Sequence, residues 1–251
     1  MTERIDFNCD LGEGCGDDAR IAPRISSASI ACGGHAGDEQ SMRAAVTLCR
    51  DHGVAVGAHP SFVDREHFGR RELAMSPAAI QVLVIAQTRR LSAVCAQLGV
   101  RPHHVKPHGA LYNLAARERA VADAIVEAVV GIDPSLHLYA LAGSQLVAAA
   151  REHGLSVVEE VFAERGYDGD GRLLPRGQPG AVIDTVAAAL AQVRGMLRDG
   201  QVIAVDGHAV RIRADTLCLH GDRDDAAAFA TALRDALLAE GFVIAAPGAA
   251  A

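Results

Sequence analysis

The stretch ASIACGGHAGDEQSMRAAVTLCRDHGVAVGA, residues 28–58, decides the fold. A short apolar run from Ala28 to Cys32 is followed by an amphipathic stretch from Asp38 to His52, a glycine stop at Gly53, and a second apolar run from Val54 to Ala58. Two strands separated by a helix of that length read as parallel neighbours joined by a crossover. The same alternation extends in both directions. A first strand is predicted near Arg4 to Cys9, and further strands near His104 to Lys106, Leu136 to Leu141, Val157 to Phe162, Val202 to Val205 and Thr216 to Leu219. A second long helix is predicted from Pro77 to Leu98, with Ser76 as N-cap, proline in the favoured first position, and Gly99 as its stop. About eight strands alternating with helices in 251 residues predict an α/β chain folded as one closed, TIM-like β/α barrel over residues 1–251.

The competing architecture is a doubly wound open sheet, which expects a GxGxxG turn after the first strand. Here Gly12, Gly14 and Gly16 lie among Glu13, Asp17 and Asp18, so the spacing is wrong and the charge repels a phosphate. Two interruptions of the alternation are legible. Asp206-Gly207 between two apolar stretches predicts a β-hairpin within Gln201 to Arg213. Glu164 to Gly180, with five glycines and two prolines, is long for a connection and reads as an active-site loop.

Composition narrows the function. Half the residues are apolar and 22% are charged, an ordinary globular balance that argues against disorder. The formal charge of −7 and scattered arginines give no footprint for nucleic acid, and no apolar run reaches membrane-spanning length. The opening MTERIDFNCD is charged and lacks an apolar run, so no secretory signal is expected. The six cysteines, none in a CxxC pair, then read as reduced thiols of a cytoplasmic protein without a structural zinc site. Lys106 is the only lysine in a chain that otherwise uses arginine, which invites a chemical explanation.

In a parallel barrel, catalytic groups gather at strand C-termini and the loops beyond them. Asn8-Cys9-Asp10-Leu11-Gly12-Glu13 follows the first strand, Cys32-Gly33-Gly34-His35 the second, and His59-Pro60 with Asp64 the third. Lys106-Pro107-His108-Gly109 continues the fourth, Glu164 and Arg165 follow the sixth, and His220-Gly221-Asp222 ends the last. The other histidines act as a control. His52 and His153 each precede a helix-stopping glycine, where imidazole meets unpaired carbonyls, while His67, His103, His104, His137 and His208 read as packing or surface residues. His35, His59, His108 and His220 sit at equivalent strand ends.

Such a rim offers Asp10 or Glu13 as a base toward water and Lys106 as stabiliser of a developing oxyanion. His108 can share that task or protonate a leaving nitrogen. Asp10, His59 and His108 form an equally admissible ligand set for one divalent metal, and spacing alone does not choose. Arg70 and Arg71 can clamp a carboxylate or remain solvated loop charges. Cys32 near His35 reads as a small buried packing residue rather than a nucleophile.

The strings NCDLGEG, SIACGGHAGDE, GAHPSFVDREHFGRR, VKPHGALYN, EVFAERGYDGDGRLLPR and CLHGD, in this order from residue 5 to about 222, resemble the LamB/YcsF family. The resemblance implies an irregular barrel of the glycoside hydrolase/deacetylase kind. It also implies opening of the lactam of 5-oxo-L-proline to L-glutamate, with ATP as co-substrate, accompanied by Mg2+, in a complex with 5-oxoprolinase subunits B and C. The site carried over is Asp10 and Glu13, His35, His59 and Asp64, Lys106 and His108, and Arg165, with Arg70 beside them. In the implied roles, His59 and His108 are substrate or phosphate ligands and Arg165 is a carboxylate clamp. Two other readings compete: a metal-dependent deacetylase acting on an amidosugar, and a non-catalytic ligand-binding subunit.

Overall fold

The computed structural model describes residues 3–15, 17–220 and 225–249. Its strands are β1 (Arg4–Leu11), β2 (Ser27–Ala31), β3 (Ala55–His59), β4 (His104–Val105), β5 (His137–Leu141), β6 (Val157–Phe162), β7 (Gln201–Ile203), β8 (Ala209–Arg211), β9 (Thr216–Leu219) and β10 (Val243–Ile244). The helices are α1 (Asp18–Ile21), α2 (Glu39–His52), α3 (Pro77–Gln97), α4 (Gly109–Arg117), α5 (Arg119–Ile132), α6 (Gln145–Glu152), α7 (Val186–Arg194) and α8 (Ala226–Ala239). Strands β1-β2-β3-β4-β5-β6-β9 are all parallel, and pairing of β1 with β9 closes them into a barrel. No helix among the described residues is long and apolar enough to cross a membrane.

The barrel therefore has seven strands rather than the predicted eight. The missing member is the segment near Val202, which pairs antiparallel with β8 as the Asp206-Gly207 hairpin and leaves the barrel wall. Its composition explains the exclusion: a parallel barrel strand is buried on both faces, whereas Ile203 and Val205 are exposed. Strand β6 hydrogen-bonds directly to β9 across the gap, and β10 adds only to the first residues of β1.

Helix boundaries follow local chemistry. Asp38 caps α2 by accepting from the Ser41 amide, and the Ser41 hydroxyl in turn accepts from the Asp38 amide. Met42, Ala45, Val46 and Cys49 give α2 one buried stripe at helical spacing. Gly53 ends it at φ 68°, a left-handed conformation that favours glycine.

What distinguishes the barrel is its polar interior. Alternation along β1 sends Asp6, Asn8 and Asp10 to one face, where they bond across the lumen, while Phe7, Cys9 and Leu11 join the apolar core. At the lower end Asp6 accepts from four hydroxyls, those of Ser26, Ser27, Thr216 and Tyr139, at 2.6 to 2.9 Å. Burial raises the Asp6 pKa against these four bonds. One layer up, His104 stacks on Tyr139 with ring centroids 4.0 Å apart and bonds to Ser29. Its ring fills the space in front of Gly57, where a Cβ would overlap the imidazole.

Gly57→Ala is therefore expected to lower the free energy of unfolding by about 1–3 kcal/mol in urea titration. Combining it with His104→Ala removes the overlap and should return part of that loss. An unchanged midpoint for Gly57→Ala would show that the ring does not occupy this space.

Candidate active site

Lys106, which directly follows β4, points into the lumen with its ammonium buried. Its three N–H donors go to Asn8 Oδ1 at 2.9 Å, Glu160 Oε1 at 3.1 Å and Cys218 Sγ at 3.4 Å, and Asp10 Oδ1 pairs with its charge at 2.6 Å. Burial opposes the charge, but Asp10, Cys218 and Glu160 hold the ammonium well above the ordinary lysine pKa. Burial likewise works against the Asp10 carboxylate, yet His59 and Lys106 together hold it well below the usual range. Tyr112, on α4, donates to the other oxygen of Glu160 at 2.7 Å. The Asn8 amide donates both to Glu160 and to Thr216, so a hydrogen-bond column runs from Asp6 through Thr216 and Asn8 to Lys106.

Above the cage lies a rim of imidazoles. His59 Nδ1 donates to the Lys106 carbonyl at 2.7 Å, and its Nε2 faces Asp10 Oδ2 at 3.2 Å. His108 Nε2 donates to the Phe68 carbonyl at 2.9 Å, which turns its Nδ1 toward His59 Nε2, 2.9 Å away. His35 stacks on His108 with centroids 3.6 Å apart and bonds to Glu13 Oε1 at 2.8 Å and to the Ser61 hydroxyl at 2.9 Å. Burial pulls the His35 pKa down to about 4 and holds His108 well below the usual imidazole value, so both rings are neutral at pH 7. Phe68 reaches His108 through a backbone at φ 54°, the one positive φ outside glycine among the described residues. For a bulky side chain that conformation is strained, and strain of this kind gathers at functional sites.

A cavity of about 540 Å³ opens at the strand C-termini over this assembly. Asp10, His59, Lys106, His108, Arg70 and Arg165 border it. Glu13 and His35 stand in the adjoining layer, joined to it through the His108 stack. Asp64 lies apart from the cavity lining. It pairs with His67 at 2.9 Å and Arg71 at 3.5 Å, and its carbonyl accepts from Gly69, so it shapes the loop that presents Phe68 and Arg70. Arg165 spends Nε and Nη2 on the Ala181 and Leu174 carbonyls, and burial lowers its pKa to about 10. It thereby straps the 164–184 segment across the mouth. That segment is no slack loop: Tyr167 is buried, and bridges join Arg165 to Val182 and Tyr167 to Leu173.

His220 bonds to Glu164 and stacks on Phe162 at the same mouth; Gly221 and Asp222, expected beside it, lie outside the described residues, as does Gly16. Cys32 is a packing residue, its thiol pushed up to about 12 by burial and bonded to the Ile30 carbonyl. Strand-end reasoning missed Asn8, Glu160, Tyr112 and Cys218. Asn8 sits two residues before Asp10 on the same strand, and Glu159-Glu160 interrupts an otherwise apolar strand; both patterns were available as signals.

A closed parallel barrel with a lysine–carboxylate cage beneath an imidazole rim has the layout of a catalytic barrel with its chemistry at the strand C-termini. Residues 5–251 match the LamB/YcsF family, and the chain belongs to it. Over 248 residues it is 52% identical to the A subunit of 5-oxoprolinase from Chloroflexus aggregans, covering 97% of this chain and 98% of that protein. The crystal structure of a lactam utilization protein from Thermus thermophilus matches with a TM-score of 0.90 at 44% identity, covering 97% of this chain and 99% of that one. The peptidoglycan deacetylase PdaC from Bacillus subtilis shares the fold, with a TM-score of 0.50 at 12% identity over 97% of this chain and 87% of that one.

The cage predicts a pH-dependent stability. Asp10, whose folded pKa is depressed, contributes fully above its unfolded value near 3.9 and loses that contribution as pH falls through the folded value. Lys106, whose folded pKa is raised, contributes fully below about 10.4 and loses it only as pH rises through the folded value. Lys106→Met is expected to cost about 3–5 kcal/mol at pH 7, because it strands two buried carboxylates. The deficit should shrink on acidification, when those carboxylates take up protons. Denaturant titrations from pH 7 to 4 check this, and a deficit that stays constant would exclude the cage as its source.

Proposed function

We propose that this chain is the barrel subunit of a cytoplasmic ATP-dependent 5-oxoprolinase, which opens the lactam of 5-oxo-L-proline to L-glutamate together with subunits B and C. The observation that carries the reading is the juxtaposition of a fixed ammonium, a carboxylate and imidazoles at one cavity. Full-length similarity to the A subunit of a 5-oxoprolinase and to a lactam utilization protein supports it.

A lactam carbonyl is a resonance-stabilised amide, so direct attack by water is slow. Transfer of a phosphoryl group from ATP to the carbonyl oxygen, with release of ADP, gives an imidate-like carbon that water attacks readily. The ring nitrogen departs with a proton to leave an acyl phosphate, which a second water cleaves to L-glutamate and inorganic phosphate. The cavity is much larger than a five-membered lactam and leaves space for a second reacting group beside it. In this chemistry Lys106 supplies a preorganised positive charge near the developing oxyanion. Asp10 is committed to Lys106, which leaves Glu13, beside His35 and His108, as the base toward water. His108, neutral and with its N–H on the Phe68 carbonyl, holds no proton for the departing nitrogen, so Glu13 passes on the proton it takes from water, and Arg70 at the mouth meets the substrate carboxylate.

The test is reconstitution with the two partner subunits and measurement of glutamate released from 5-oxo-L-proline with and without ATP and Mg2+. Glu13→Gln is expected to lower kcat by about 10²–10⁴-fold, the range for a removed general base, while the chain stays folded. Lys106→Arg should also lose turnover, because a five-donor plane replaces a three-donor point charge matched to Asn8, Glu160 and Cys218 beside Asp10. Given the closed cage, it should lose stability as well. Near-normal turnover in both variants would return the chain to a ligand-binding role.

A further inference from the structure

The tautomers of two rim histidines are fixed by their partners. A backbone carbonyl only accepts, so His59 carries its proton on Nδ1 toward the Lys106 carbonyl, and His108 carries its proton on Nε2 toward the Phe68 carbonyl. With both rings in the neutral form the opposite nitrogens, His59 Nε2 and His108 Nδ1, bear lone pairs that face one another at 2.9 Å, and a cation between them, proton or metal, relieves the repulsion. Asp10 Oδ2 is 3.2 Å from His59 Nε2, and Glu13 Oε1 is 3.5 Å from His108 Nδ1 and 4.0 Å from His59 Nε2. His59 Nε2, His108 Nδ1 and Glu13 Oε1 thus belong to one group of mutually close ligand atoms, and Asp10 Oδ2 adjoins it through His59.

Their spacing suits an ion. Metal–ligand distances of about 2.1 Å in a tetrahedron place neighbouring ligand atoms about 3.4 Å apart, within the range seen here. The outward hydrogen bonds of both rings to carbonyls are the arrangement that orients metal-ligating histidines. His35 joins the same cluster but spends one nitrogen on Glu13 and the other on Ser61, which makes it the orienting group for Glu13 rather than a ligand. A second ligand-rich group, Asp10 with Cys218 and His220, has the Lys106 ammonium 2.6 Å from its aspartate and 3.4 Å from its thiol, so a positive charge already serves it.

We propose that His59 Nε2, His108 Nδ1, Asp10 Oδ2 and Glu13 Oε1 bind one divalent transition-metal ion of the zinc class, bordering the cavity. The nitrogen and oxygen donor set selects such an ion over calcium or magnesium, which prefer oxygen alone. Asp10 then divides its oxygens between the ammonium and the ion. The site does not depend on which substrate the cavity takes.

The test uses the full chain, freed of metal by a chelator and titrated with Co2+ and with Zn2+ alone. One equivalent of Co2+ should bind with the ligand-field absorption of a low-coordinate nitrogen and oxygen site, without a thiolate charge-transfer band, and should raise Tm. His59→Ala and His108→Ala should each weaken Co2+ binding by more than about 100-fold, and His35→Ala, acting through Glu13, by about 10–100-fold. Cys218→Ser should leave the affinity within about twofold. Should an alanine variant fail to fold, His108→Gln and Glu13→Gln read the same loss in a conservatively filled site. Absence of stoichiometric Co2+ uptake by the folded parent would overturn the proposal. So would uptake indifferent to His59 and His108, or nitrogen NMR showing one proton shared between the two rings that added metal does not displace. Neither substrate nor partner subunits enter these measurements, so their outcome is separate from that of the lactam assay.

Discussion

A primary ammonium without bulk water is the constraint around which this barrel is organised. Lys106 offers three protons, and Asn8, Glu160 and Cys218, from β1, β6 and β9, accept them in the lumen while Asp10 pairs with the charge. Removing a charge of this kind from water costs several kcal/mol before pairing recovers it, so the arrangement persists only because every donor is matched. Matching one residue then dictates others. Glu160 takes a further proton from Tyr112, and Asn8 takes its orientation from Glu160 and Thr216. The interior of the barrel is consequently a connected polar column wrapped in an apolar shell, in place of the branched aliphatic layers that commonly fill such barrels.

The same column fixes the rim. Strand β4 contributes two residues of regular pairing before the chain leaves it, and Lys106 uses its own carbonyl to hold His59 while its side chain holds Asp10. A single residue therefore ties the first and third strands together at the mouth. On the far side the strained carbonyl of Phe68 holds His108, and Asp64 supports the loop that carries Phe68. Stability and reactivity are built from the same bonds here, which explains why so many ionisable groups are buried in so small a volume.

Much of this was legible in the sequence, for identifiable reasons. The alternation in residues 28–58 and the caps at Asp38, Ser76 and Gly53 act locally, so the helices and the parallel arrangement could be read directly. The rule that barrel chemistry sits at strand ends found Asp10, His59, Lys106 and His108. It failed for Asn8 and Glu160, which lie within strands, because whether a mid-strand polar side chain faces the lumen depends on register with partners distant in the chain. The strand count failed for a related reason: Val202 looks like a barrel strand until pairing with β8 draws it away. Asp64 has the residue type and location of a ligand-binding group, but His67 and Arg71, both nearby in sequence, claim it first.

The four-hydroxyl clasp on Asp6 has a consequence for traffic. It stoppers the floor of the barrel, so the vessel is a dead end and has no through passage. Whatever enters from above departs by the same doorway. Any protein seated over that doorway would govern both admission and discharge, without touching a single reacting group.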